Sequence, residues 1–193
     1  MINPIRIEMP SWLSGFRNSL PERLESQEER MRVAISLSRQ NVMEGSGGPF
    51  GALVVARDSG EVLSLGVNRV EPSCCSTAHA EIVALSLAQQ SLGHWNLAEA
   101  GKGPVELVTS CEPCAMCLGA IPWSGVTSVL CGASKADAET AGFDEGDHPD
   151  RWPELLEARG IRLITELLRE EAAAVLQLYA RSGQTIYNAG SER

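Results

Sequence analysis

Residues 105–121 read VELVTSCEPCAMCLGAI, and this stretch decides the fold because a buried strand leads directly into a compact helix. The apolar run VELVT is typical of a short strand that is covered on both faces. Pro113 then turns the chain into a helix over CAMCLGAI. Cys111, Cys114 and Cys117 span this turn with the spacing of metal ligands, so the function depends on which sulfurs bind an ion.

Length and charge limit the classes of function. The chain has 193 residues, enough for one domain with a hydrophobic core. Its formal net charge of -9 disfavours a nucleic-acid partner, which is bound mainly through lysine and arginine, and favours a small neutral ligand. The sequence has neither a secretory signal pattern nor an apolar run of about 18 residues. We therefore expect a cytoplasmic protein with reduced thiols and no membrane partner.

The segments around the opening stretch predict alternating strands and helices. A turn signal, RDSG, separates two β-rich runs and predicts a hairpin with strands near 51–56 and 62–67. Residues 78–92 are rich in alanine and leucine and predict a helix. Two further helices are predicted, one that begins at Pro21 and ends at Gly45 and a C-terminal one that ends at Gly183. The apolar runs VTSVLCG and IRLIT predict two further strands. The predicted fold is α/β, a three-layer α/β/α sandwich around a mixed sheet.

Two segments lie outside this regular pattern. Residues 1–20 are weakly patterned, so we expect an N-terminal extension followed by one functional domain over residues 21–193. Residues 136–155 are polar and contain prolines, which predicts a long loop or a short helix that overhangs a pocket.

A second motif supplies the partners of the cysteines. In TAHAEIVAL, His79 and Glu81 form H-x-E at the start of a helix. Together with Pro113-Cys114-x-x-Cys117 this pattern is typical of zinc deaminases. Cys114 and Cys117 are three residues apart on one helix, so their sulfurs fall on the same side. We expect one zinc ion per chain, bound by His79, Cys114 and Cys117, because three protein ligands leave a fourth position open to water.

The remaining cysteine of the cluster allows a different function. We expect Cys111 to be a small buried residue, because it precedes the turn. An iron–sulfur cluster is disfavoured, since that ligand run needs a fourth cysteine where Ile121 stands. If Cys111 were a fourth zinc ligand, the site would be closed and the protein would be a zinc-stabilised module without catalysis. His94 and His148 lack comparable partners and are expected at the surface.

From about residue 31 to residue 187 the chain resembles the cytidine deaminase superfamily. The motifs GGPFGALVV, GVNRV, TAHAEIVAL and TSCEPCAMCLGAIPW recur across that superfamily, and AGFDE is similar to bacterial guanine deaminases. The resemblance implies a central five-stranded mixed sheet, a zinc ion between two helices, and a homodimer. It also implies hydrolysis of guanine to xanthine and ammonia, a reaction of purine catabolism.

The resemblance further implies roles for two carboxylates. Glu81 is expected to take a proton from water and to protonate ring N3 of guanine while the water attacks C2. Guanine deaminases resemble one another in adding a second carboxylate that handles the protons of the departing amine. The second acidic position of AGFDE is Glu145 here, where related enzymes carry aspartate. Asp144 and Asp147 are alternative candidates.

Five further residues are expected to contact the base or to close the pocket. Asn68 offers a side-chain donor and acceptor to a purine edge, although asparagine is also common in turns. Phe50 and Trp123 carry flat rings that suit a planar base, and either ring suits a core equally well. Ala80, inside the H-x-E motif, belongs to the predicted substrate site. Tyr187 is expected to close over the pocket, as C-terminal aromatic residues do in similar enzymes.

Two other substrates stay open at the level of sequence. A tRNA adenosine deaminase would use the same zinc ligands and Glu81 on a flipped base, but it should present a basic surface. The segment ELLREEAAAVLQLYARSG, which contains the C-terminal helix, has three glutamates and two arginines and is therefore not basic. Another aminated ring, such as an s-triazine, is compatible with a pocket that recognises the aminopyrimidine half of guanine.

Overall fold

The structure, a computed structural model, describes residues 4–188 and contains one mixed sheet of five strands. The strands are β1 (Gly51–Ala56), β2 (Glu61–Val67), β3 (Val105–Cys111), β4 (Ser128–Ala133) and β5 (Arg162–Ile164). Their order in the sheet is β2-β1-β3-β4-β5. The first strand pairs antiparallel with β2 and with β3, whereas β4 is parallel to both β3 and β5. The predicted five-stranded mixed sheet is therefore confirmed.

Helices cover both faces of this sheet. In the described part of the chain they are α1 (Trp12–Ser19), α2 (Gln27–Met43), α3 (Ala80–Leu92), α4 (Ala115–Ser124), α5 (Lys135–Thr140), α6 (Trp152–Glu157) and α7 (Arg169–Ser182). The α2 and α7 helices pack on one face, and α3 packs on the other beside α4. This arrangement is the predicted three-layer sandwich. None of these helices combines the length and the apolar character that a bilayer span requires.

The central strands β1, β3 and β4 are buried along their whole length because each face of the sheet has its own core. Along β1, Leu53 and Val55 point into the core beneath α2 and α7. Their neighbours Ala52 and Val54 point into the core beneath α3. Side chains alternate along a strand, so a strand that is covered on both faces carries apolar residues at successive positions.

A close approach between β2 and α3 positions the start of that helix. A Cβ atom at Gly66 would lie 2.3 Å from the carbonyl oxygen of Ala80 and 2.6 Å from the nitrogen of Ala84. Only glycine leaves room for the helix backbone at this distance. Gly66 therefore sets how near the first turn of α3 lies to the sheet.

Several element boundaries differ from the sequence-based expectations. The α2 helix begins at Gln27 rather than near Pro21, because Ser26 and Glu29 cap its N-terminus reciprocally. Residues 136–155 contain most of α5 and the beginning of α6 on either side of a loop. The division of the chain at residue 20 stays a prediction.

The sequence pattern did not reveal α1, which packs on the rest of the chain. The indole nitrogen of Trp12 donates a hydrogen bond to Ser46 Oγ at 3.0 Å, and Leu13 is buried. Helix α1 is short, and its partners lie far away in sequence. Its apolar side chains contribute to the core, but eight residues make only about two turns, which is a short stretch in which to recognise a helical period.

A buried ion pair joins α2 to the middle of the sheet. The guanidinium Nη1 of Arg30 lies 2.8 Å from Glu106 Oε1, and both side chains are almost fully buried. Arg30 also donates to the carbonyl oxygens of Leu24 and Arg57, and Glu106 accepts a hydrogen bond from Ser128 Oγ at 2.9 Å. Each charge is thus paired and hydrogen-bonded, which is the condition under which burying it is tolerated.

We expect Glu106→Gln to lower the free energy of unfolding by about 3–5 kcal/mol, because it leaves the buried Arg30 charge without its counter-charge. Urea denaturation measures this loss. The matched control is Lys102→Gln, which breaks the more exposed Lys102–Glu61 pair and should cost about 1 kcal/mol or less. Equal losses in the two variants would contradict a special role for the buried pair.

Candidate active site

Three side chains that can bind a metal meet where α3 and α4 begin. His79 is the N-cap residue of α3, and Cys114 is the N-cap residue of α4. Cys117 lies in the first turn of α4 and is buried. The ligand atoms of these three residues all lie within 4.8 Å of one another. The structure therefore brings together the three predicted zinc ligands.

The geometry of this cluster fits zinc. Cys114 Sγ lies 3.5 Å from His79 Nδ1. In a tetrahedral site with bonds of about 2.3 Å to sulfur and about 2.0 Å to nitrogen, those two ligand atoms are about 3.5 Å apart. One imidazole and two sulfurs are also donors that zinc prefers, and three ligands leave one coordination position for substrate chemistry.

The protein environment favours a thiolate at Cys114. A hydrogen bond from the Cys117 thiol lowers the pKa of Cys114 to about 4, and His79 contributes in the same direction. The reciprocal hydrogen bond, together with burial, raises the pKa of Cys117 well above its usual value. A bound dication deprotonates coordinating thiols, so metal binding would complete the pair of thiolates.

Two buried carboxyl groups share the cavity next to these ligands. Glu81 lies in the first turn of α3, and Glu145 lies in the loop after α5. Burial, followed by the negative charge of Cys114, raises the pKa of Glu81 to about 7. The same two causes raise the pKa of Glu145 to about 8, with a further contribution from Glu81. Both groups therefore exchange protons near neutral pH, as acid–base catalysis requires.

The structure distinguishes among the three acidic residues of the loop. Glu145 is 6% exposed and lines the cavity. Asp144 also borders the cavity, but it is exposed and accepts a hydrogen bond from the backbone of Gly146 at 2.8 Å. Asp147 is exposed and does not line the cavity. Among these three, Glu145 has the position expected for the second acid.

Aromatic rings form part of the cavity wall. Phe50 lines the cavity as expected and makes an edge-to-face contact with Phe143, with ring centroids 4.9 Å apart. Trp123 does not line the cavity, because it lies on the outer face of α4 and is 77% exposed. The structure thus places Phe143, rather than Trp123, beside Phe50.

The predicted base-binding asparagine is buried behind the C-terminal segment. Asn68 Nδ2 donates a hydrogen bond to the hydroxyl oxygen of Tyr187, and its Oδ1 accepts one from the backbone of Val70 at 3.2 Å. Tyr187 lines the cavity, and its ring lies 6.0 Å from that of His79. The free volume of the cavity is only about 30 Å³ with Tyr187 in this position. The ring of Tyr187 thus lies over the cavity, and its role in closing the site stays a prediction.

Other candidate residues occupy different surroundings. Ala80 is buried at the first position of α3 and does not line the cavity. Cys111 is also buried, and its sulfur lies 3.7 Å from the carbonyl oxygen of Ser134. Within residues 4–188, Cys111 is not part of the metal-binding cluster, so a closed site with four cysteine and histidine ligands is not formed.

The two remaining histidines are half-buried and hydrogen-bonded, in contrast to the expectation of free surface residues. His94 Nδ1 accepts a hydrogen bond from the backbone of Asn96 at 3.1 Å. His148 lies near the candidate site, and its Nε2 donates to the carbonyl oxygen of Pro113 at 3.0 Å. Their partners lie in loops, where sequence periodicity gives no indication of side-chain contacts.

Sequence reasoning missed three residues that line the cavity, namely Glu112, Phe143 and Asn188. Glu112 follows the last residue of β3 and accepts a hydrogen bond from the backbone of Lys135 at 2.9 Å. Glu112 lies in the motif CEPC and Phe143 lies in AGFDE. Because both motifs carry the resemblance, their membership could have identified these two residues as candidates. Asn188 has no such signal, because the folded chain alone brings it to the cavity.

Comparisons with known proteins agree with this geometry. A family model described as the cytidine and deoxycytidylate deaminase zinc-binding region matches residues 24–133. Guanine deaminase from Bacillus subtilis (strain 168) is 41% identical over 120 residues, which are 62% of this chain and 72% of that protein. A solved structure of guanine deaminase from Nitrosomonas europaea is similar with a TM-score of 0.88 and 47% identity, covering 94% of this chain and 98% of the other. NE0047 in complex with 2,6-diaminopurine gives a TM-score of 0.89 and 48% identity, covering 96% and 97%.

We expect Cys114→Ser to lose bound zinc, because serine replaces a thiolate ligand with a weakly coordinating hydroxyl. Cys111→Ser, the matched control, should keep the zinc content of the unaltered protein. Elemental analysis of purified protein measures both. Loss of zinc from both variants would favour the closed, four-ligand site over the three-ligand site.

Proposed function

Because this chain belongs to the cytidine and deoxycytidylate deaminase family, we propose that it hydrolyses guanine to xanthine and ammonia. Its similarity to guanine deaminases, in one case over nearly the whole chain, supports this substrate. The observation that carries the proposal is Glu145, a second buried carboxyl group in the same cavity as Glu81. With two such groups, Glu81 can transfer the proton between the water and the ring nitrogen while Glu145 protonates the departing amine.

We propose that one zinc ion is bound per chain, by His79, Cys114 and Cys117. When bound, zinc supplies an activated water at neutral pH and a positive charge near the base. The remaining steps depend on residues of the chain itself.

The two carboxyl groups divide the proton transfers between them. With a pKa of about 7, Glu81 can accept a proton from the attacking water and deliver it to ring N3. With a pKa of about 8, Glu145 holds its proton at neutral pH and is suited to donate it to the amine that leaves C2. The hydroxyl that the water leaves on C2 loses its proton as the carbonyl forms and the C2–N bond breaks, and that proton restores the carboxyl group of Glu145. The sum of these transfers converts guanine and water into xanthine and ammonia.

We propose that the aromatic and amide groups of the site bind the base. Phe50 and Phe143 provide apolar walls for a planar ring, and Asn68 offers its amide to the purine edge. That amide is bonded to Tyr187, so base binding there requires the C-terminal segment to move away. Tyr187 then closes over the bound base and keeps out bulk water, which strengthens the electrostatic interactions inside the cavity.

A homodimer and a cytoplasmic location complete the proposal. Trp123 lies on the outer face of α4, beside a groove between α3 and α4, and is 77% exposed in the single chain. Exposed aromatic residues of this kind are enriched at surfaces that a second subunit covers. All six cysteines are free, as expected in a reducing compartment. The net charge of -9 supports a small nucleobase as the substrate, rather than tRNA.

Ammonia release from a panel of substrates tests the proposed reaction. The panel contains guanine, guanosine, adenine, cytosine, cytidine, an aminotriazine and a tRNA with adenosine at the wobble position. Guanine should give the highest kcat/KM. A higher kcat/KM for the aminotriazine or for the tRNA would show that this compound, and not guanine, is the preferred substrate. If no member of the panel released ammonia, the non-catalytic zinc module would be favoured.

We expect Glu81→Gln to lower kcat by about 10²–10⁴-fold or more while zinc stays bound, because the amide cannot transfer protons. Glu145→Gln should lower kcat by about 10²-fold and change KM for guanine little, since this group acts on the leaving amine. Steady-state kinetics with guanine measure both effects.

Two further variants test the placement of the second acid. Glu145→Asp should retain more activity than Glu145→Gln, because aspartate keeps an ionisable carboxyl at this position. Asp147→Asn is the matched control and should be fully active, since Asp147 is exposed outside the cavity. A fully active Glu145→Gln enzyme would show that the loop contributes no catalytic acid at this position.

A further inference from the structure

The acidic loop, residues 143–148, is attached to the first turn of α4 on both sides of a metal-binding cysteine. The backbone nitrogen of Ala115 donates a hydrogen bond to the carbonyl oxygen of Glu145 at 3.0 Å. His148 Nε2 lies 3.0 Å from the carbonyl oxygen of Pro113. Because a carbonyl oxygen can only accept, His148 must donate this bond. Cys114 thus lies between the two residues to which the loop is bonded.

A tight turn brings His148 back toward α4. Gly146 has a φ of +70°, and its nitrogen donates to Asp144 Oδ1 at 2.8 Å. The nitrogen of His148 then donates to the carbonyl oxygen of Gly146 at 2.7 Å. A Cβ atom at Gly146 would lie 3.3 Å from Cβ of Ala115, so the loop is in close contact with the helix.

The core orients the ring of His148. Its imidazole makes an edge-to-face contact with Trp152, with ring centroids 5.5 Å apart and an interplanar angle of 83°. Trp152 is buried in the core that includes Leu118 and Ile121 of α4. The direction of the Nε2–H group is therefore determined by packing as well as by the hydrogen bond.

We propose that His148 is a positioning residue that holds the carboxyl group of Glu145 at the substrate, an inference that rests on the proposed function. Within residues 4–188, removal of the bond from His148 to Pro113 leaves the acidic loop hydrogen-bonded to the start of α4 only through the carbonyl oxygen of Glu145. The remaining bonds of the loop, from the Asp144 nitrogen to Asn188 Oδ1 and from the Phe143 nitrogen to Ala138, lead away from α4, so only one hydrogen bond then ties Glu145 directly to the helix that carries the cysteines. A displacement of about 1 Å in a reacting group can cost about 10²-fold in rate.

A pair of substitutions separates the hydrogen bond of His148 from its packing. His148→Phe keeps a ring against Trp152 but removes the donor, and it should lower kcat by about 10–100-fold with little change in KM or zinc content. His148→Gln places an amide N–H at a similar reach and should recover most of the lost kcat. A fully active His148→Phe enzyme, or a His148→Gln enzyme as slow as His148→Phe, would overturn the proposal.

The Glu145→Gln background tests whether His148 acts through Glu145. If it does, adding His148→Phe to Glu145→Gln should lower kcat little further, because the group being positioned no longer transfers a proton. If the two losses multiply in the double variant, His148 acts on some other part of the site and the proposal fails.

Amide hydrogen exchange decides the structural part of the inference independently of the substrate. The Ala115 amide is bonded to the acidic loop, so its exchange should become faster in His148→Phe by up to about tenfold, the effect of one net hydrogen bond. Unchanged exchange would overturn the proposal. If the unaltered protein releases no ammonia from guanine, the proposed function fails, whereas the exchange result still shows whether His148 holds the loop.

Discussion

The convergence of two helix N-termini is the constraint on which the rest of the site depends. His79 caps α3 and Cys114 caps α4, and their ligand atoms approach to 3.5 Å. This distance requires α3 to lie against the sheet with no side chain in between, which Gly66 permits. Since Glu81 lies in the same helical turn, any shift of α3 would move a metal ligand and a catalytic carboxyl group together. The strands β2 and β3, which precede α3 and α4, therefore help to position the residues of the site.

Burial determines the chemistry that this convergence allows. Glu81 and Glu145 are both nearly inaccessible to solvent and face the charge of the same cysteine, so each carboxyl is protonated more readily than in water. In the part of the chain that the structure describes, neither forms an ion pair with a lysine or arginine, in contrast to Glu106, whose charge is paired with Arg30. The chain therefore contains buried carboxyl groups in two settings, one suited to stability and one suited to proton transfer.

Much of the fold follows from local sequence patterns. The strands of the hairpin and the buried run before Pro113 are short contiguous segments rich in apolar and β-branched residues, which the sequence shows directly. The spacing of Cys114 and Cys117 is equally local, because a separation of three residues at the start of a helix places two sulfurs on one side whatever the tertiary fold. Helix α1 escaped prediction because it is short and its stabilising contacts, such as Trp12 with Ser46, connect distant parts of the chain.

The sequence alone predicted the alternation of strands and helices and the candidate residues of the H-x-E and C-x-x-C motifs, since each motif depends on spacing within one element; the tertiary structure brings the two motifs together. Only the tertiary structure showed Glu145 buried in the cavity and Asp147 outside it, placed Phe143 in the cavity, and left Trp123 outside it. The physical reason is that loop side chains have no fixed periodicity. Their directions follow from long-range hydrogen bonds, such as those from Ala115 to Glu145 and from His148 to Pro113, which join residues separated by 30 and 35 positions.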